Sequence, residues 1–206
     1  MTGNTPLAPR EVGANNPILW IEDEPARLER DQSEVAAFAP LLQYRAPEPG
    51  NDAGFRHGGW VGELPLWPFD RPQPEGLSDL IGQHGLMMAL DYSAAHPMVA
   101  PVIYPINPKP SIHEQTQAAW HVAPGGSLCL FQSEGAWQPE ASITELLAKA
   151  AGWRIEYALM KAEVIERMAV RGIVSDPSSD PLILEAARRM ITISTSEERA
   201  DADVPQ

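Results

Sequence analysis

The sequence predicts an α+β domain: an N-terminal helix, an antiparallel four-stranded sheet, a cysteine loop and C-terminal helices. Two observations predict this class. Strand-like segments are grouped between residues 41 and 104, and strongly helical patterns lie on both sides of them. The length of 206 residues suits one compact domain, and an apolar content of 44% is enough for a single core.

The helical pattern before the strands runs from Glu24 to Phe38, and Pro40 ends it. Four strand candidates follow, separated by loops rich in Pro and Gly: 41–45, 55–64, 86–92 and 102–104. Prolines recur between residues 97 and 110. Because proline lacks the amide donor that an inner strand requires, we expect this stretch to be extended and to lie along a sheet edge.

The clearest helix start lies at Ser142-Ile-Thr-Glu145, which matches a capping box. An apolar pattern of helical period continues from there towards Val170. A further short element is expected over 182–193. Residues 67–85, with several prolines and glycines, are expected to form an irregular connection.

These patterns divide the chain into four parts. We predict a flexible segment over 1–17, the domain over 18–172, a short C-terminal element over 173–193 and a disordered acidic tail over 194–206. Both ends are polar and lack the large apolar groups whose burial would offset the entropy lost on ordering.

The charge composition excludes several function classes. The chain has 15 Lys and Arg against 28 Asp and Glu, a net charge of −13, which disfavours nucleic-acid binding.

No apolar run reaches the roughly 18 residues of a membrane helix, and no signal peptide is visible. One cysteine can make neither an internal disulfide nor a cysteine-rich zinc site. We therefore expect a cytoplasmic protein that does not associate with a membrane and binds neither a metal nor a cofactor.

Cys129 is the candidate nucleophile. Gly125 and Gly126 precede it and permit a sharp turn close to the thiol, and His121 lies eight residues earlier. A nearby histidine or amide donor is the usual way to make a cysteine nucleophilic near neutral pH. The alternative is a core residue, because unpaired cysteines are among the most buried residue types.

Other residues near the cysteine are interpreted from their type. Trp120 and Trp137 are expected to line the cysteine site. His113 and Glu114 together with His121 invite a metal site, but the spacing of eight between the histidines fits no standard ligand motif, so solvated loop residues are the preferred interpretation.

The order of these residues resembles that of ubiquitin-conjugating enzymes. His96-Pro97 and Pro101 stand where that family has its early prolines before an apolar strand, and His121 stands at the histidine of its His-Pro-Asn. Gly126-Ser-Leu-Cys-Leu130 matches the cysteine motif. Trp137-Gln-Pro139 matches the Trp-x-Pro that precedes the next helix.

The resemblance, which spans about residues 17–171, implies the ubiquitin-conjugating fold. It implies a transferase that carries a protein C-terminus as a thioester on Cys129, with His121 orienting or stabilising the transfer. Backbone amides from Gly126 to Leu128 would help to hold the oxyanion. An adenylating activating enzyme would deliver the C-terminus, and no cofactor is implied.

The family's Pro-Asn is missing, because Val122 follows the histidine directly. This shortened pattern is similar to the bacterial branch, encoded beside antiphage cyclic-oligonucleotide defence systems or ubiquitin-like modification operons. The carried partner would then be a nucleotidyltransferase C-terminus or a ubiquitin-like protein. One alternative is a catalytically reduced binding module of the same fold, which the missing asparagine favours. The other is a cysteine hydrolase, which the absence of any histidine after Cys129 disfavours.

Overall fold

The computed structural model describes residues 19–48, 54–131, 137–169 and 177–202, so the segment 1–17 that is predicted to be flexible lies outside it. Short 3-10 turns occur at Ala118–Trp120 and Pro177–Ser179. The helices and strands are α1 (Trp20–Asp23), α2 (Pro25–Phe38), β1 (Leu42–Arg45), β2 (Gly59–Glu63), α3 (Leu77–Ile81), β3 (Met87–Asp91), β4 (Val102–Asn107), α4 (Ile112–Gln115), α5 (Ile143–Lys161) and α6 (Asp180–Ala202).

The four strands form one antiparallel sheet in the order β1-β2-β3-β4, so each strand pairs with its neighbour in sequence. This architecture confirms the predicted α+β class with a four-stranded antiparallel sheet and flanking helices. Each observed strand overlaps a predicted segment, and β4 extends three residues beyond Tyr104.

Strand β4 lies at an edge of the sheet, where the proline series can be accommodated. Pro105 pairs with Met88 inside this strand, and the register is irregular between Met87 and Met88. An inner strand would lose a ladder hydrogen bond at a proline, whereas an edge strand need not. The expected position of the proline-rich segment is therefore confirmed for β4.

Helix α5 is the central element of the core and is buried on nearly all sides. Leu147 and Trp153 pack with the sheet and α2, whereas Ile155 and Leu159 pack with α3 and α6. A helix that is apolar all round must be covered on every side, which explains why the helices on both flanks pack against it.

Helix α5 begins at the predicted place but with a different cap. Ser142 Oγ accepts a hydrogen bond from Thr144 N–H at 3.1 Å and donates one to Glu34 Oε2. The full capping box forms instead at Ser111 and Glu114, where α4 begins. The Ser142 hydroxyl donates to Glu34 on α2, and its oxygen accepts from the amide of Thr144 rather than from that of Glu145.

Helices differ from the sequence prediction in three further places. Helix α5 ends at Lys161 rather than near Val170, because the chain turns through Glu163, whose φ is 55°. Helix α3 forms within the predicted irregular connection. Helix α6 runs beyond Ile193 into the segment predicted to be disordered, since neither Pro nor Gly occurs between Ile193 and Pro205 to end it.

Among the described helices, none combines the length and apolar character needed to cross a bilayer.

Candidate functional site

Cys129 ends a tight hairpin that starts at His121. Cys129 N–H donates to His121 O at 2.8 Å, and Ala123 N–H donates to Ser127 O at 2.8 Å. Gly126 forms the turn with φ 85°, a backbone conformation that favours glycine. The hairpin therefore brings His121 and Cys129 side by side, as the sequence predicts.

The hairpin is fixed to the edge of the sheet. Val122 and Leu128 are both buried, and Leu128 N–H donates to Ile103 O of β4 at 2.8 Å. Because side chains alternate along an extended chain, anchoring Leu128 turns Cys129 outward. The thiol is exposed, so the interpretation of Cys129 as a core residue is wrong.

Two of the backbone amides expected to hold an oxyanion are already engaged. Gly126 N–H donates to Ala123 O at 2.8 Å, and Leu128 N–H donates to Ile103 O. Both donors form the turn and its anchor. A new acceptor at either amide would break a hydrogen bond that the hairpin needs.

Cys129 opens into a surface groove of about 840 Å³. This volume is in the range of sites that take a drug-sized molecule or a short peptide segment. The groove is mostly apolar, and its lining residues are Ala118, Ala119, His121, Val122, Cys129, Phe131, Arg167, Met168 and Ala169.

Neither of the two tryptophans expected at the cysteine site contributes to this lining. Trp120 packs against Tyr157 with 5.4 Å between ring centroids. Trp137 donates from Nε1 to Pro97 O at 2.7 Å and contacts Phe131 edge-on at 6.1 Å. Phe131 is the aromatic residue of the described lining, and Trp137 reaches the groove only through its contact with Phe131.

The ionisation of the two site residues differs from that of a preformed thiolate–imidazolium pair. Burial raises the pKa of the Cys129 thiol, although the side chain is exposed at the surface. Burial also lowers the pKa of His121, which is therefore mainly neutral at neutral pH. A neutral imidazole supplies no positive charge to stabilise the thiolate.

Alkylation should report this raised pKa directly. We expect iodoacetamide to modify Cys129 more slowly at neutral pH than it modifies N-acetylcysteinamide, because the thiolate is the nucleophile. The half-maximal rate should fall at a higher pH than for the small thiol, and unfolding in urea should remove the difference. A rate plateau below neutral pH would contradict the raised pKa.

Helix α5 holds the turn that leads into the hairpin. Trp153 Nε1 donates to Trp120 O at 2.9 Å. Glu114 is buried rather than solvated, and it accepts from Tyr157 Oη at 3.0 Å and from Lys161 Nζ at 3.1 Å. Burial alone would raise the pKa of Glu114, but these bonds and the Ser111 N–H lower it below its usual value.

The far wall of the groove is the segment that returns after α5. Met168 is buried and its N–H donates to Ala119 O at 3.2 Å. Ala169 N–H donates to Glu156 Oε1 at 3.3 Å. Burial raises the pKa of Glu156 to about 7, although the bond from Ala169 partly opposes the shift.

A buried polar cluster attaches the Trp137–Pro139 segment to α2. Arg27 donates from Nε to Asp31 Oδ1 at 2.9 Å and from its Nη atoms to the carbonyls of Pro139 and Ala141. Tyr92 Oη donates to Asp31 Oδ2 at 2.8 Å, and His96 Nε2 lies 3.6 Å from the same oxygen. The resemblance motifs at His96 and Trp137 thus meet in one cluster.

No sequence-based prediction singled out Arg27, Asp31, Ser111 or Arg167. Arg27 and Asp31 have the i,i+4 spacing of a helical ion pair, and Ser111 with Glu114 has the pattern of a capping box. No sequence pattern near Arg167 identifies it as a groove residue, because the groove forms only when the chain returns after α5. In the described ranges, no three His, Cys, Asp or Glu side chains group as a metal site requires.

The fold and site together define an α+β domain with an exposed cysteine at the end of a hairpin, facing a mostly apolar groove. Comparison of the chain with protein-family models, with curated proteins and with solved structures finds no match.

Proposed function

We propose that this protein is a ubiquitin-conjugating-like acyl transferase that carries a protein C-terminus as a thioester on Cys129. The observation that supports it most strongly is an exposed thiol in a groove large enough for a peptide end, beside His121. The chain order supports it too: helix, four-stranded meander, hairpin with the cysteine, Trp-x-Pro, then a long helix. This order is the one that the resemblance to the ubiquitin-conjugating fold implies.

The proposed reaction begins when an adenylated or thioester-linked C-terminus is presented in the groove. The Cys129 sulfur attacks the carbonyl carbon, a C–S bond forms, and the AMP or thiolate that activated the carbonyl leaves. The raised pKa of Cys129 means that a proton must be removed as attack proceeds. His121 is largely neutral and lines the same groove, so its imidazole is the group proposed to accept that proton.

In the second step an amine or another nucleophile attacks the thioester, and Cys129 leaves as a thiolate. We propose that the protein acts in bacterial antiphage defence. The carried protein would be a cyclic-oligonucleotide synthase or a ubiquitin-like protein, and an adenylating enzyme would activate its C-terminus first. Both partners would act through protein surfaces, without a cofactor bound to this chain.

A catalytically reduced binding module of the same fold is the second candidate. The raised pKa of Cys129 favours it, because little thiolate exists at neutral pH before a partner arrives. The missing Pro-Asn after His121 also favours it. The exposure of the thiol favours transfer, since a binding module has no use for a sulfur that opens into a groove.

Loading the protein separates the two candidates. The protein is incubated with an adenylating activating enzyme and a candidate carried protein, with and without ATP. Transfer predicts a higher-mass species that needs ATP and disappears on treatment with a reducing thiol. A binding module would form a complex without any covalent species, and that result would end the transferase proposal.

A further inference from the structure

Arg167 is a cation in the Cys129 groove without an acidic partner among the described residues. Its side chain is exposed, it lines the groove, and within the described ranges it forms no ion pair. The chain carries 28 acidic residues against 15 basic ones, so an unneutralised guanidinium beside the proposed nucleophile is unusual for this surface. No acidic side chain belongs to the described lining of the groove.

The backbone that directly follows Arg167 is fixed relative to the groove. Its neighbour Met168 is buried and bonded to Ala119 O, and Ala169 N–H is bonded to Glu156. The rest of the lining is apolar apart from Cys129 and the largely neutral His121. Among the described lining residues, Arg167 therefore carries the one permanent charge; Lys149 Nζ lies outside the lining, 4.7 Å from the Phe131 ring.

We infer that Arg167 selects the charge of the chain end that Cys129 accepts, favouring a C-terminal segment with Asp or Glu near the reacting carbonyl. This inference rests on the proposed thioester function. A guanidinium offers paired donors to a carboxylate and repels an ammonium group. Because Arg167 is exposed, the expected preference is about three- to fivefold in rate, and it should decrease at high salt.

Synthetic peptide thioesters test the inference without the natural partner. Two sets of peptides carry Glu, Gln or Lys at the second or at the fourth residue before the thioester carbonyl. The leaving group is 2-mercaptoethanol, which is neutral and cannot itself pair with Arg167. The Cys129 thiolate attacks, the C–S bond to the peptide forms, and mercaptoethanol leaves as a thiolate that takes a proton from water.

The rate of peptide attachment is followed by mass spectrometry and divided by the rate for N-acetylcysteinamide, which corrects for intrinsic reactivity. Wild type should react fastest with Glu and slowest with Lys in at least one set. Arg167→Lys should keep that order, Arg167→Gln should remove it, and Arg167→Glu should invert it. Arg45→Glu on the opposite edge strand makes the same change in net charge and should leave the order intact.

The outcomes separate this inference from the proposed function. Equal rates for the three residues in both sets, or an order that survives Arg167→Glu, overturn the role of Arg167 and leave thioester formation standing. Absence of peptide on the wild type, or peptide on Cys129→Ala, overturns the proposed function and the inference with it.

Discussion

Replacing Cys129 with alanine abolishes covalent loading of the protein, and replacing it with serine makes the loaded species resistant to thiols. A serine hydroxyl can accept the same acyl group as an oxygen ester, which reducing thiols do not cleave at neutral pH. The change at an exposed side chain that packs little should leave folding intact. Intact-mass measurement after incubation with the activating enzyme and ATP gives the readout.

The matched control for this pair is His121→Gln, which leaves the sulfur and removes the imidazole. It should slow loading without abolishing it, because the base assists attack but is not the attached atom. Loading that persists in Cys129→Ala would show that another residue carries the partner. A serine species that a thiol removes would show that the link is not an ester at this position.

Replacing Asp31 with alanine should destabilise the fold by about 3–5 kcal/mol, the range for breaking a buried ion pair by removing one partner. Asp31 is fully buried and accepts hydrogen bonds from Arg27 and Tyr92. Its loss leaves the nearly buried Arg27 guanidinium without its charge partner. Urea unfolding followed by tryptophan fluorescence measures the loss.

Two controls make the Asp31 result specific. Glu29→Ala on the same helix removes an exposed carboxylate and should change the free energy of unfolding by less than about 0.5 kcal/mol. Asp31→Asn keeps the shape and some of the hydrogen bonds, so it should fall between the two. An Asp31→Ala variant as stable as Glu29→Ala would mean that the cluster contributes nothing to the fold.

The main features of the fold were predictable because they are local. Periodicity predicted where the long helices lie, though not where α5 and α6 end, and the proline series limited β4 to a sheet edge. The cap of α5 was predicted only in part, since the Ser142 hydroxyl is held by Glu34, a residue more than one hundred positions away. The end of α5 was missed because tertiary contacts at Glu163, rather than a Gly or Pro, turn the chain there.

In the candidate site too, the features set by nearby residues were predictable and those set by distant contacts were not. Cys129, His121 and the glycine turn between them were predictable, because a short hairpin brings them together through backbone bonds that depend on nearby residues. The groove was not predictable, since its far wall at Met168 comes from a segment that returns to Ala119 after α5. The burial of Glu114 was missed for the same reason: Tyr157 and Lys161 reach it from another helix.

The carboxyl beneath the groove wall couples folding to proton uptake. Glu156 has a pKa of about 7 in the folded chain against an ordinary value near 4.3 when unfolded. Its contribution to stability is complete below the unfolded value and is lost as pH rises through about 7. The free energy of unfolding of wild type should thus decrease, relative to that of Glu156→Gln, as pH rises from about 4.3 to about 7, because the amide of the variant does not titrate. A constant difference between the two proteins across that interval would mean that this carboxyl does not titrate there.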